Sequence, residues 1–210
     1  RGEERGVMLR EIYVRPAGLL PVAIGERCET VLGCLRLADG WLDFQAYFVR
    51  ERAAPVVRAL RYVGAADARA TLSWPDASHG LAAFVICPSN PYLSIDPILA
   101  VPQWRRRLQQ RQAPVIAVSP IVAGDALKGC AAKLLREFDR AVNPVTIAYH
   151  YGNLLDGLVI DQQDAAYAAQ IEKLGIAVLV AQTVMRSDAD RDTLARAVLE
   201  FAATIDVRRS

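Results

Sequence analysis

From Leu81 onward the chain alternates short apolar runs, rich in β-branched residues, with amphipathic stretches of helical spacing. A series of βαβ units needs that rhythm. A parallel strand buried on both faces must be apolar almost throughout, whereas the helices that cover it need only one apolar stripe. The runs predict strands over 81–86, 114–118, 145–149, 157–160 and 176–180, with helices over 97–110, 125–138, 163–174 and 190–205 between them. Asp125 and either Asp188 or Asp190 stand where they can cap helix starts. The first third reads differently, because 42–50 and 56–63 alternate in polarity as strands with one wetter face do. Ala38-Asp39-Gly40 supplies a turn just ahead of them. The expected fold is α/β: a doubly wound, Rossmann-like, mostly parallel sheet with an antiparallel hairpin or edge ribbon in the first third. One domain over 1–210 accommodates it, with the ribbon and its connection over about 35–80 and the parallel core over 81–210.

Composition narrows the function classes. Hydrophobic residues at 53% suffice for a core, and charged residues at 23% keep the surface polar, so disorder on a large scale is excluded. The 25 basic and 23 acidic residues leave a net charge of only +2, too even a balance for a nucleic-acid footprint. Arg105-Arg106-Arg107 with Arg111 accordingly reads as a solvated helix face. No apolar run approaches the ~20 residues that span a bilayer, and the charged start is unlike a signal peptide. Cys28, Cys34, Cys87 and Cys130 have neither metal-ligand spacing nor disulfide-scaffold density, which predicts free thiols in a reducing, cytoplasmic setting. His79 and His150 lie near no cysteine or carboxylate at zinc spacing. The chain opens on Arg1, with its first methionine at Met8, and reads as a processed product or a piece of a longer chain.

In an open α/β sheet ligands bind beyond the carboxyl ends of the strands, so the loops after the expected strands are where chemistry should gather. The first is Cys87-Pro88-Ser89-Asn90-Pro91, followed by Ser94-Ile95-Asp96-Pro97-Ile98. Its prolines fix a path along which Ser89, Asn90 and Ser94 offer short hydrogen-bonding groups. A rigid turn with helix caps and a holder for a polar ligand are both consistent with that pattern. The second, from Ser119 to Gly129, combines a glycine-bearing turn at Gly124 with Lys128 at an expected helix start. A phosphate site and an ordinary helix start with a solvated lysine both fit. It is not a Walker A loop, and Ser119 lies in no Gly-x-Ser-x-Gly elbow. The third carries Asp156, Asp161 and Asp164, suited to holding Mg²⁺, to accepting a substrate hydroxyl or to capping a helix.

Taken together, these segments resemble the CofD family of 2-phospho-L-lactate transferases. The resemblance runs through Phe44-Gln45-Ala46-Tyr47-Phe48-Val49-Arg50, Pro88-Ser89-Asn90-Pro91, the run from Ser94 to Pro102, and Ser119-Pro120-Ile121-Val122. It continues through Lys128-Gly129, Ala131-Ala132-Lys133, Leu155-Asp156-Gly157, Val159-Ile160-Asp161 and Thr183-Val184-Met185. It implies a transferase that moves a phospholactyl group, or a phosphoenolpyruvyl or phosphoglyceryl relative, from a guanylyl-activated donor to the deazaflavin Fo. GMP leaves and Mg²⁺ is required, in the biosynthesis of coenzyme F-420. A homodimer is allowed.

For the site, the resemblance implies nucleotide or phosphate contacts from Pro88, Ser89, Asn90, Ser94 and Ser119. Gly124, Lys128 and Gly129 would face the diphosphate, and Asp156 and Asp161 would form a polar wall. The chain departs from the family at Cys87 and Ala123, where glycine is usual, and at Cys130, a common proline position. Gly25-Glu26 stands for an acidic pair, and Gln182 for the aspartate before Thr-Val-Met. The glycine-rich opening turn and the aspartate-bearing segment are not found in residues 1–40. A CofD-like regulator that binds nucleotide sugars, and an inactive fragment of the transferase, are the alternatives. A pyridine-nucleotide oxidoreductase is disfavoured because no Gly-x-Gly-x-x-Gly follows a strand.

Overall fold

The computed structural model describes residues 11–13, 22–24, 32–68, 81–127 and 129–207. Two short strands, β1 (Glu11–Tyr13) and β2 (Val22–Ile24), pair antiparallel with each other. The alternating first third folds into an antiparallel sheet of order β4-β3-β5, from β3 (Leu32–Leu37), β4 (Gly40–Asp43) and β5 (Ala59–Val63). Ala38 and Asp39 make the turn from β3 to β4, where Leu37 pairs with Gly40. The strand expected over 42–50 ends at Asp43, and Ala46–Arg50 winds into a π-helical turn. The cause is local: Asp43 Oδ1 accepts the Ala46 N–H at 2.8 Å and diverts the backbone into a turn.

Beyond Leu81 the parallel strands are β6 (Phe84–Ile86), β7 (Val115–Val118), β10 (Gly157–Asp161) and β11 (Ala177–Ala181). They run side by side in the order β11-β10-β7-β6, with β1 antiparallel against β6 and β2 beyond it. Residue parity assigns the two faces. Val115, Ala117, Leu158 and Ile160 point into one cluster with α2 (Pro102–Gln109), α4 (Pro144–Tyr151) and α5 (Ala168–Glu172). Ile116, Val118 and Val159 point into a second with α6 (Asp188–Ala203), through Leu194, Val198 and Ala202. Helices on both faces explain why these strands are apolar throughout. α1 (Asp96–Leu99) and α3 (Ala131–Glu137) complete the first layer. Among the described residues no helix is long and apolar enough to cross a membrane.

Two expectations are corrected here. The run Val145–Tyr149 lies within helix α4, not in a strand. Asn143 caps the helix, its Oδ1 accepting the Thr146 N–H at 3.0 Å, and Pro144 starts it where a missing N–H costs nothing. The helix expected over 125–138 starts only at Ala131. Ahead of it a two-residue hairpin joins β8 (Ile121–Val122) to β9 (Asp125–Ala126), with Ala123 at φ 50° and Gly124 at φ 78°. Positive φ at both central residues is the turn that matches strand twist. Asp125 therefore pairs in a strand and caps nothing, and the start of α6 is capped by Ser187 in a reciprocal box with Asp190.

The antiparallel sheet is joined to the parallel body by a third cluster containing Leu35, Tyr47, Val57, Leu93, Cys130 and Leu134. A polar pin runs through that seam. Lys133 Nζ donates to Tyr47 Oη at 3.0 Å and to the Pro55 carbonyl at 2.8 Å, and it pairs with Glu137, which accepts the Val57 N–H at 3.1 Å.

Candidate functional site

The carboxyl ends of the four parallel strands share one edge, and a cavity of about 470 Å³ opens there. The loop after β6 contributes Pro88, Ser89 and Asn90, with Leu93 and Ser94 a turn further on. The loop after β7 brings Ser119 and Pro120, and the loop after β11 brings Thr183 and Met185. Gly129, Cys130 and Ala131 enter at the start of α3, Phe44 from just ahead of the π-helical turn and Phe48 from within it, and Arg191 from α6. Phe44 and Phe48 lie with ring centroids 5.6 Å apart, and exposed Phe48, Leu127 and Met185 give an apolar rim to a polar floor.

Each polar group has a defined state. Asn90 Oδ1 accepts the N–H groups of Tyr92 and Leu93 at 3.0 and 3.2 Å, and its amide nitrogen donates to Cys130 Sγ at 3.7 Å, which leaves the second amide proton to donate to a ligand. Ser119 Oγ donates to the Ile121 carbonyl at 3.1 Å and accepts the Ile121 N–H at 3.2 Å, which commits it to its own turn. Among the described residues the hydroxyls of Ser89 and Ser94 have no hydrogen-bond partner. These two and the Asn90 amide are donors suited to phosphate oxygens. Arg191 is the one cation among the described lining residues, and it is paired with Asp188. Burial pushes the Cys130 thiol up, more than nearby Lys133 lowers it, so it stays protonated and unreactive.

The three carboxylates separate into different tasks. Asp156 precedes β10, at the opposite end of that strand from the cavity. It is buried with Arg111, which forks onto both its oxygens at 2.9 to 3.0 Å, and it accepts the Val115 N–H at 2.7 Å. Losing either partner of such a pair costs about 3–5 kcal/mol, so its role is in the fold. Arg111 is thus not part of the solvated face expected for it, whereas Arg105, Arg106 and Arg107 are exposed. Asp161 lies at the carboxyl end of β10. One oxygen accepts the Gln163 N–H and side-chain amide, and the other the Thr183 N–H and hydroxyl. Asp164 accepts the Ala123 N–H at 3.1 Å; burial raises its pKa, only partly opposed by that bond.

Six of the expected site residues therefore meet on one cavity: Pro88, Ser89, Asn90, Ser94, Ser119 and Gly129. Gly124 sits in the β8–β9 turn outside the lining, Asp161 reaches the cavity only through Thr183, and Lys128 lies outside the described residues. The lining also includes Phe44, Phe48, Thr183, Met185 and Arg191, none of them expected as site residues. Thr183 and Met185 were within reach of the strand-end rule, lying in the loop that follows β11. Arg191 left no signal, because a helical arginine is ordinarily solvated. No group of three His, Cys, Asp or Glu side chains clusters among the described residues, and both oxygens of Asp161 are engaged. An Mg²⁺ ion here would therefore draw most of its ligands from phosphate oxygens and water.

An α/β sheet with a donor-lined cavity across its carboxyl edge defines a Rossmann-like protein, the cavity lying where such folds place their ligands. The model of the 2-phospho-L-lactate transferase CofD matches residues 17–200. The chain belongs to that family. It is 35% identical over 166 residues to the phosphoenolpyruvate transferase of Streptomyces griseus, an overlap of 78% of this chain and 52% of that protein. It is 30% identical over 194 residues to the 2-phospho-L-lactate transferase of Methanosarcina mazei, covering 92% and 62%. With the phosphoenolpyruvate transferase of Mycolicibacterium smegmatis the identity is 34% over 194 residues, covering 89% and 58%. The chain thus spans between half and two thirds of the length of these relatives.

Proposed function

We propose that this chain acts as a transferase that joins a phosphate-linked three-carbon acid to the deazaflavin Fo. The donor is the guanylyl-activated form of phospholactate, or of its phosphoenolpyruvate or phosphoglycerate relative, in coenzyme F-420 biosynthesis. The ribityl hydroxyl oxygen of Fo bonds to the phosphorus that carries the acid. The bond from that phosphorus to the bridging oxygen breaks, GMP leaves with the electron pair, and the hydroxyl proton is released. Such a displacement needs positioning and charge neutralisation rather than a protein nucleophile. The protonated Cys130 and the self-bonded Ser119 are consistent with that need.

The observation that carries the reading is the gathering of Ser89, Asn90 and Ser94 as hydrogen-bond donors on one cavity at the carboxyl edge, in a chain of this family. In the proposal these groups hold the phosphate oxygens, with Lys128 adding a charge. Phe48 and Met185 give flat apolar surface to a ring. Mg²⁺ belongs to the proposal as an ion that arrives on the donor's phosphates.

The test is direct: incubate the chain with Fo, Mg²⁺ and each of the three activated donors, then separate the products. Equimolar GMP and charged deazaflavin from one donor is the expected result. No GMP from any donor, together with tighter calorimetric binding of a nucleotide sugar than of Fo, would overturn it.

A further inference from the structure

Thr183 is 4% exposed yet lines the cavity just past β11. Its hydroxyl oxygen lies 3.0 Å from Asp161 Oδ2, and its N–H donates to the same oxygen at 2.9 Å. The other Asp161 oxygen takes the Gln163 N–H at 3.1 Å and the Gln163 amide at 3.2 Å. Burial works to raise the Asp161 pKa, but these four donors outweigh it and hold the group below the usual aspartate range. At neutral pH Asp161 is a carboxylate with no proton to give. The single proton in the Thr183–Asp161 bond is therefore the threonine's, and what Thr183 can offer the cavity is a lone pair.

We propose that Thr183, its proton held by Asp161, is a fixed hydrogen-bond acceptor in the cavity wall that selects a ligand hydroxyl and disfavours phosphate oxygens. Asp161 is the positioning residue that sets this polarity without touching the ligand. The loop after β6 has the reverse character, presenting the Ser89 and Ser94 hydroxyls and the Asn90 amide. β7 and β10 lie between β6 and β11, which separates the two groups by roughly 14 Å at ~4.8 Å per strand. Donors at one end and an acceptor at the other make the cavity polar along its length, so an anion and an alcohol enter it in one orientation. Resting on the transferase reading, this places the reacting hydroxyl of Fo at Thr183 and the donor's phosphates at the β6 loop.

Calorimetry of the chain with Fo, with an Fo analogue lacking the terminal ribityl hydroxyl, and with inorganic phosphate tests the assignment. Thr183→Val, of the same shape but without the oxygen, should weaken Fo about five- to tenfold and leave the analogue and phosphate within twofold, as loss of one hydrogen bond does. Thr183→Ser should restore Fo binding. Asp161→Asn, whose amide nitrogen can donate back to Thr183, should weaken Fo by a similar factor while phosphate binds as well as before or better. A merely structural loss would weaken both. Weaker phosphate binding in Thr183→Val, or equal loss of Fo and its analogue, overturns the proposal. A ligand-free readout keeps the two readings apart: the Thr183 hydroxyl proton should appear in the NMR spectrum as an exchange-protected signal that Thr183→Val lacks. If Fo fails to bind the wild type, the transferase reading falls and that signal decides the acceptor assignment; its absence overturns it.

Discussion

Ala123 carries a backbone conformation that its side chain opposes. It sits at φ 50° in the β8–β9 turn, with its N–H bonded to Asp164, beside a Gly124 that adopts φ 78° without strain. A left-handed alanine costs about 1–2 kcal/mol, whereas glycine loses about 0.4–1 kcal/mol more through unfolded-chain entropy. Relief of strain is the larger effect, so Ala123→Gly should stabilise the chain by about 0.5–1 kcal/mol, read as a higher urea midpoint at unchanged slope. An unchanged or lower midpoint would mean that the surrounding turn, not the Cβ, sets the conformation. Glycine is also what the resemblance leads one to expect at this position. Single residues likewise mark how far the site was legible. Ser89, Asn90 and Ser94 reach the cavity because their loop follows β6 at the carboxyl edge, although the same pattern suits a turn and Asn90 does cap the turn after it. Asp156 and Asp161 were not distinguishable by sequence. Whether an aspartate faces a ligand or a buried arginine depends on which end of β10 it occupies and on what Arg111, 45 residues away, is doing.

Among the elements, the strands were the most legible, because two-sided burial leaves an unbroken apolar run. The apolar runs mark β6, β7, β10 and β11 as strands, whereas their order β11-β10-β7-β6 is visible only in the structure. The failure at 145–149 has a definite cause: β-branched residues in Val145-Thr146-Ile147 favour strand locally, but the Asn143 cap and burial of Val145, Ile147 and Ala148 decide for helix. The contact between α6 and the sheet was also invisible beforehand. It depends on Gly157, where an added Cβ would stand 2.8 Å from Phe201 Cε1 and Ile205 Cδ1 and 2.9 Å from Ile116 Cδ1. All three are side-chain ends that can yield, but they press from three directions inside a packed layer. Gly157→Ala should therefore destabilise by about 1–3 kcal/mol, the usual cost of overpacking, and push α6 outward. Pairing it with Ile205→Val should recover part of the loss. Thermal melts that show no coupling between the two substitutions would reject this account of the packing.

At the scale of the whole molecule, the seam between the antiparallel sheet and the parallel body is where alkaline pH should act. Tyr47 and Tyr62 belong to the sheet side and Tyr92 to the body. Tyr62 donates to the Tyr92 carbonyl at 2.6 Å and to Asp96 at 3.3 Å, and Tyr47 donates to the Ala53 carbonyl at 3.0 Å. Burial is the largest cause raising all three hydroxyls, with the nearby Asp96 charge adding to it for Tyr62 and Tyr92. Lys133 is raised as well: desolvation lowers it, and its bonds to Glu137 and Tyr47 outweigh that. Each of these groups holds its proton more tightly folded than unfolded. The stability they contribute is therefore complete below the unfolded values, near pH 10, and is lost as pH rises toward the folded ones. All four act in the same direction at one contact surface, so the melting temperature should fall steeply above about pH 10. The Tyr62 share of the tyrosinate absorbance, read as the difference between wild type and Tyr62→Phe, should rise together with unfolding rather than ahead of it. Tyr62→Phe should flatten that fall, since the group with the largest shift no longer titrates, although the variant also loses the hydroxyl's two bonds near neutrality. A melting temperature that declines equally in wild type and Tyr62→Phe, or a Tyr62 tyrosinate difference that appears well below the melting transition, would show that the seam is open to solvent.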